Sequence, residues 1–443
     1  MLALGDGSQT LLTHGPWIAF VFVLGACVGS FINVVNWRLP LGMSLSQPPS
    51  RCPICGGRLR FFRENLPILG WILLRGKCRY CRGPISPVYP IVELAVALTF
   101  VALYFCLFMS TPSQTWWWEV GGQWWATQQF PLGWPAFVLL TFLFAGLFSM
   151  TVIDARTFMI PLAIPVFVTC LAVVLWFVQA LIARHSGPAG LGWPIPATGW
   201  GGTGAAIGGM LGIGTAVVLQ GIGVFRPSFL DYEQYVAEGD VLAEYPHARR
   251  EMGIELLYLT PVVAGIVAGW LVLKGIDGVP PRWLQAVGGS LLGYLVGGGI
   301  VWGVRILGTL AFGREAMGLG DVHLLAAVGA VFGWFLPIVI FFVAPFLGLA
   351  WTVLAGLGKR LRGGVRRELP YGPHLAVATV LIFLGRPALV DAWRVLMPTV
   401  EMPVGGLVDA VDNSDHWTDT LKPVSMPLDA TWIPPVNRRN DRT

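Results

Sequence analysis

The sequence predicts an all-α fold, a polytopic transmembrane helix bundle of about 8–10 helices with one small module outside the bilayer. Three observations predict it. Of 443 residues, 55% are hydrophobic and only 12% charged, whereas soluble globular chains carry about a quarter charged. Apolar runs of about 18–24 residues, long enough to cross a bilayer, recur along the whole length. Between the first two runs lies a single stretch, 37–88, rich in Cys, Arg, Gly and Pro.

In chain order the runs fall around 17–36, 89–110, 134–153, 162–183, 204–225, 256–273, 285–310, 324–357 and 374–391. The run 324–357 is long enough for a helical hairpin. The first run is retained as a helix, because nothing basic precedes it and no small-residue cleavage site follows it. This divides the chain into an N-terminal end with the first helix (1–36), the Cys-rich module (37–88), and a helical core (89–391). An insertion at about 226–254 mixes acids with bases, among them Asp231, Glu233, Arg249, Arg250 and Glu251. The tail, 392–443, is Pro-, Asp- and Asn-rich and is expected to be poorly ordered. Glycine recurs at every fourth position at Gly204, Gly208 and Gly212 and again at Gly289, Gly293 and Gly297. In lipid that spacing lets helix backbones approach closely.

Lys and Arg in short loops set the orientation. The stretch 1–16 has none, whereas 37–88 holds nine against one acid, Glu64. The module is therefore expected in the cytoplasm and the N-terminus outside. Loop 111–133 lacks Lys and Arg and carries Trp116, Trp117, Trp118, Trp124 and Trp125, an aromatic cluster suited to the outer interface. The formal charge of +5 thus reads as topology plus attraction to anionic membrane lipid, not as a nucleic-acid surface.

Cys52-x2-Cys55 and Cys78-x2-Cys81 form two CxxC knuckles with Gly or Pro beside them. Four thiolates satisfy a closed tetrahedral Zn²⁺ site with no open position, so the metal would be structural. Disulfides or redox pairs are the competing reading, against a reducing compartment and the lack of a βαβ context. Cys27, Cys106 and Cys170 lie within apolar runs and read as small hydrophobes.

Acids are scarce near the helices, so each needs a reason. Asp154 falls where the third long run ends, in Thr151-Val-Ile-Asp154-Ala-Arg-Thr, and Asp321 where a later run begins, in Gly318-Leu-Gly320-Asp321-Val-His323. Both are expected at one depth on the cytoplasmic side. A carboxylate pair there could share one proton, with one acid activating water and the other protonating a carbonyl. Gly318 and Gly320 would permit close approach of a substrate strand. Singly, either Asp could be a helix cap or interfacial anchor, and an ion-coupled transporter or a catalytically silent scaffold are alternatives.

In order along the chain these segments resemble the type IV prepilin peptidases, which are GxGD-type aspartic proteases. The resemblance rests on Gly29-Ser-Phe-Ile-Asn33 with Arg38-Leu-Pro40, the two CxxC pairs, Asn65-Leu-Pro67, Pro84-Ile-Ser86, Asp154 with Pro161, Gly318-Leu-Gly320-Asp321 and Glu368-Leu-Pro-Tyr-Gly-Pro373. It implies catalysis by Asp154 and Asp321, removal of basic leaders from type IV prepilins or pseudopilins at the bacterial inner membrane, and zinc at the four cysteines. It also implies N-methylation of the new N-terminus from S-adenosylmethionine. Leu162 replaces the acid or amide common after the proline, and His323 replaces a common Lys, which would make any charge role there pH-dependent. The third departure is extra length, mostly through about 184–254 and the tail.

Overall fold

The computed structural model describes residues 3–52, 54–60, 64–109, 115–182, 196–235, 245–359 and 371–396. Among them every regular element is a helix, and the only β pairing is two isolated bridges in the Cys-rich module. The helices are α1 (Ala3–Arg38), α2 (Leu69–Leu73), α3 (Val88–Tyr104), α4 (Thr115–Thr157), α5 (Ala163–Ile182), α6 (Trp200–Gly221), α7 (Ala248–Leu273), α8 (Arg282–Phe312), α9 (Leu319–Phe332), α10 (Phe335–Lys359), α11 (Tyr371–Leu384) and α12 (Arg386–Leu396). Eight of these are long and apolar enough to span a membrane, or nine if the pair α11–α12, bent by 73°, is one span. The chain is a polytopic membrane protein.

Two elements differ from the sequence reading. The stretch 111–133, read as a loop, is helical from Thr115 and broken at Gly122 and Gln129, so that the spanning part of α4 begins at Gln129. Aromatic packing draws it back onto the bundle: Trp125 and Phe130 stack edge-on against Phe108, which also meets Phe137. The run 324–357 divides into two helices, as its length allows, at Gly333, whose φ of 79° ends α9; what differs is the shortness of the first one. A helix of 14 residues is only about 21 Å long, shorter than a bilayer core. α9 is instead the buried axis of the bundle, with each residue from Asp321 to Phe332 buried except His323. The tail from 397 lies outside the described residues, and α12 continues to Leu396.

The glycine stripes explain how α9 and its neighbours approach. On α8, a Cβ at Gly293 would fall 2.0 Å from the carbonyl oxygen of Gly329, and one at Gly297 would fall 2.4 Å from that of Leu325. Side chains are therefore excluded along the α8–α9 seam. The other stripe seats α6 on α7, where Gly204 and Gly208 would clash with the carbonyls of Gly269 and Gly265 at 2.2 and 1.9 Å, and Gly212 with that of Pro261 at 2.3 Å. Close backbone contact supplies the dispersion that association in lipid requires.

Several polar side chains in this apolar interior serve the backbone. Pro135 removes an amide from α4, and the Gln179 side chain of α5 occupies the gap, donating to Leu132 O at 2.8 Å and accepting from Ala136 N at 3.2 Å. Ser290 donates to Ala330 O at 2.7 Å and Trp176 to Val331 O at 3.1 Å, fixing α8 and α5 to α9. In lipid an unsatisfied backbone group costs several kcal/mol, so such inserted partners hold helix register.

Candidate active site and metal centre

The Cys-rich module hangs between α1 and α3. Each CxxC forms a small knuckle of the same design. Cys52 N donates to Gly57 O at 2.9 Å and Gly56 N to Cys52 O at 2.9 Å; in the second knuckle Cys78 N donates to Gly83 O at 2.8 Å and Arg82 N to Cys78 O at 3.0 Å. Gly56 (φ 69°) and Arg82 (φ 61°) hold the same left-handed position. The knuckles face one another, so that Cys52 Sγ lies 3.9 Å from Cys81 Sγ and Cys55 Sγ 3.9 Å from Cys78 Sγ. All four sulfurs lie within 4.8 Å of each other.

This geometry fits a metal and not a disulfide. Thiolates around tetrahedral Zn²⁺ at about 2.3 Å sit about 3.8 Å apart, whereas a bonded pair sits at about 2.05 Å. The backbone N–H groups of Cys55 and Ile54 point at Cys52 and lower its thiol, whereas at Cys81 the Gly83 amide is outweighed by desolvation and the neighbouring sulfurs, which push its thiol up, as expected of thiols crowded together. One acid braces the module internally and another fastens it to α3. Glu64 receives Arg79 at 3.2 Å and Arg60 N at 3.1 Å, and Glu93 of α3 receives Ile68 N at 2.6 Å. Arg38, ending α1, donates to the carbonyls of Ser44 and Pro48 at 3.1 and 2.7 Å.

The second centre forms where α4 ends and α9 and α11 begin. Asp154 lies in the last turn of α4 and Asp321 in the first turn of α9; they are 6% and 7% exposed. Gly318 caps α9 in an extended conformation and accepts Asp321 N at 3.2 Å. Beyond Asp154 the chain turns at Phe158, whose N–H donates to Asp154 O at 2.9 Å, and carries Ile160 between the other two helix starts. A Cβ at Gly320 would meet Ile160 Cβ at 2.8 Å; one at Gly372, in α11, would meet Asp154 Oδ2 at 2.6 Å and Ile160 Cδ1 at 3.1 Å. Glycine at 320 and 372 is thus what lets the three segments converge.

Asp154 Oδ2 is buried and makes no hydrogen bond among the described residues, and the Gly372 amide lies beside the Asp154 carboxylate. A buried acceptor without a partner is costly, and this one lies beside the start of α11 at Gly372. Tyr371 is near Asp321, but its hydroxyl is committed to Phe341 O at 3.2 Å. His323 is half-buried and Leu162 is half exposed. Of the closing motif, Glu368, Leu369 and Pro370 lie outside the described residues.

The structure therefore brings Asp154, Asp321, Gly318 and Gly320 together, and the four cysteines together elsewhere. Ile160 and the role of Gly372 were not legible, since apolar wedges and glycine clearances carry no signal of their own. The buried cation Arg305 was also missed, although a lone Arg inside an apolar run is a legible signal.

Two family models match the chain. The Bacterial Peptidase A24 N-terminal domain covers residues 23–107 and the Type IV leader peptidase family covers 255–353. Asp321 lies inside the second segment and Asp154 between the two. A prepilin leader peptidase/N-methyltransferase of Myxococcus xanthus is 55% identical over 89 residues, which are 20% of this chain and 26% of that protein. Proteins of the same name from Dickeya chrysanthemi and Aeromonas hydrophila are 27% and 26% identical over 388 and 400 residues. Those matches cover 82% and 83% of this chain and 90% and 91% of the relatives. No solved structure matches.

Proposed function

This chain belongs to the type IV leader peptidase family, and we propose that it removes basic leaders from type IV prepilins or pseudopilins by aspartic catalysis at Asp154 and Asp321. The observation that carries the reading is the convergence of two buried carboxylates from distant segments around Ile160 and its flanking glycines, one of them with an unpartnered oxygen.

The pair would hold one proton between them. The ionised member takes a proton from water as the water attacks the scissile carbonyl, and the protonated member donates to the carbonyl oxygen. Collapse of the tetrahedral gem-diol returns a proton to the leaving nitrogen, which departs as the new N-terminus of the mature pilin. The glycine at 318 leaves room for an extended substrate strand beside Asp321, whereas the Gly320 position is closed by Ile160.

Orientation follows from charge. The basic module is assigned to the cytoplasmic side of the bacterial inner membrane. The bond from Ser149 of α4 to Asn36 at the end of α1, 2.5 Å long, sets the Asp154 end of α4 beside the α1 end that leads into the module. A substrate helix would stay in lipid while its leader stays among anionic headgroups, and the module would be held there by its basic residues. We assign Zn²⁺ to Cys52, Cys55, Cys78 and Cys81, where it would fold the module and take no part in hydrolysis.

The relatives' name adds N-methyl transfer. S-adenosylmethionine is the donor proposed for that step, and no donor set among the described residues marks its site. Incubating the protein in lipid nanodiscs with a model prepilin, followed by mass analysis of the product's N-terminus, tests both activities. The expected product is a mature pilin without its leader, one methyl heavier when donor is supplied. Uncleaved prepilin with wild-type protein, or cleavage that survives in both Asp154→Asn and Asp321→Asn, would end the reading.

A further inference from the structure

One buried guanidinium ties the dyad to a region that otherwise has no assigned purpose. Arg305, on α8, is 2% exposed. Its Nε and Nη2 donate to Glu255 of α7 at 3.2 and 3.0 Å. Its Nη1 reaches Glu315 and the Met317 carbonyl, both in the connection 313–318 that leads into α9. Its guanidinium carbon lies 5.2 Å from the ring centre of Phe229, in the insertion.

The same face of α8 completes the arrangement. Thr309 stands one turn beyond Arg305, and its Oγ1 accepts Ala316 N at 3.1 Å while its carbonyl accepts Gly313 N at 2.8 Å. The connection thus folds back over the last two turns of α8, fixed at residues 313, 315, 316 and 317. Gly318, the cap of α9, is the next residue and Asp321 follows in the first turn. On the other side, Glu255 also accepts Trp302 Nε1 at 2.7 Å, and Phe229 N donates to buried Glu251 at 2.8 Å.

We propose that Arg305 is a positioning residue for the peptidase reaction: it locks the 313–318 connection so that Asp321 is presented to Asp154, and through Phe229 it couples the insertion to that lock. This rests on the aspartic-peptidase reading. Arg305 touches no reacting atom in this scheme. A planar fork that serves Glu255, Glu315 and a main-chain carbonyl at once is a geometric clamp that a flexible ammonium cannot copy. Displacement of a reacting group by about 1 Å costs about 100-fold in rate.

Removing Arg305 alone would strand Glu255 in the interior, and such broken pairs often destabilise the whole fold. The test therefore uses Arg305→Met paired with Glu255→Leu, which removes both charges and keeps the volume, beside Arg305→Lys and Asp321→Asn. The full chain in nanodiscs is assayed for kcat and KM on a model prepilin and for Tm. If the wild type fails to cleave, or Asp321→Asn cleaves normally, the peptidase reading fails and takes this proposal with it. With that reading intact, the double variant is expected to keep its Tm and its KM while kcat falls about 100-fold, and Arg305→Lys is expected to recover part of kcat. Wild-type kcat in a folded double variant overturns the clamp. So does a loss that appears only in KM, or one that tracks the unfolded fraction.

Discussion

Substituting Gly372 by Ala isolates the geometry of the dyad from the stability of the fold. The new Cβ would lie 2.6 Å from Asp154 Oδ2, 3.2 Å from Asp154 Cγ and 3.1 Å from Ile160 Cδ1. Ordinary carbon–oxygen contact needs about 3.3 Å, so something must move by about 0.7 Å. The carboxylate is the softest of these neighbours, because its oxygen has no hydrogen bond among the described residues to hold it in place. A shift approaching 1 Å in a reacting group costs about 100-fold, which is about 2.7 kcal/mol on the barrier. In contrast, alanine within the first turn of α11 improves helix propensity by up to about 1 kcal/mol and offsets part of the overpacking. The expected result is a fold whose Tm changes little and whose kcat drops by about two orders of magnitude. Gly348→Ala, where the nearest atom is His374 at 3.6 Å, is the matched control. Both quantities come from a thermal melt in detergent and single-turnover cleavage of a labelled prepilin. Full activity in Gly372→Ala, or a fall in Tm large enough to account for the lost rate, would refute the reasoning.

Further outcomes follow from the same structure. Asp154→Asn and Asp321→Asn should each lower cleavage by about 100- to 10 000-fold with the helical circular dichroism unchanged, since each removes one half of a general acid–base pair. Chelation of zinc, or Cys55→Ser with Cys81→Ser, should unfold the module, because binding of about 10–16 kcal/mol is its main source of stability. Tryptic digestion should then cut within 51–82, and an equally resistant module would contradict the assignment. Gly56→Ala should destabilise the first knuckle by about 1 kcal/mol through its left-handed φ alone, there being no neighbour within 4 Å of the new Cβ. At the matching position Arg82→Gly should be tolerated. Zinc-retention titrations would show the difference, and equal retention in the two variants would count against it.

Much of this architecture was legible from apolar run length, because a bilayer imposes one dimension on every spanning helix. The four cysteines were legible because thiolate pairs at CxxC spacing have few uses outside metal binding. Two acids bordering helices were legible because acids are scarce there. The division of 324–357 into two helices was legible from its length, but the shortness of α9 was not, since its apolar residues run on into α10 and the break is set by the φ of Gly333. The helical turns after Thr115 were hidden by an interfacial tryptophan pattern that suits loop and helix equally. The Arg305 cluster draws on α7, α8, the insertion and the 313–318 connection, and no local window contains its partners together. Pairwise clearances such as Gly372 to Asp154 belong to tertiary packing and leave no periodicity.

The interlocked glycines of α6 and α7 have a consequence for how the two aspartates come to meet. Asp154 and Asp321 are separated by a long tract, and closing so long a loop carries an entropic cost that rises with its free length. The α6–α7 pair zips along its own backbone, from Gly212 against Pro261 to Gly204 against Gly269, using contacts between helices consecutive in the chain. Once zipped, it withdraws much of that tract from the random coil. The distance left to be searched is correspondingly shorter, so an enlarged chain can assemble its centre without a proportionally slower search.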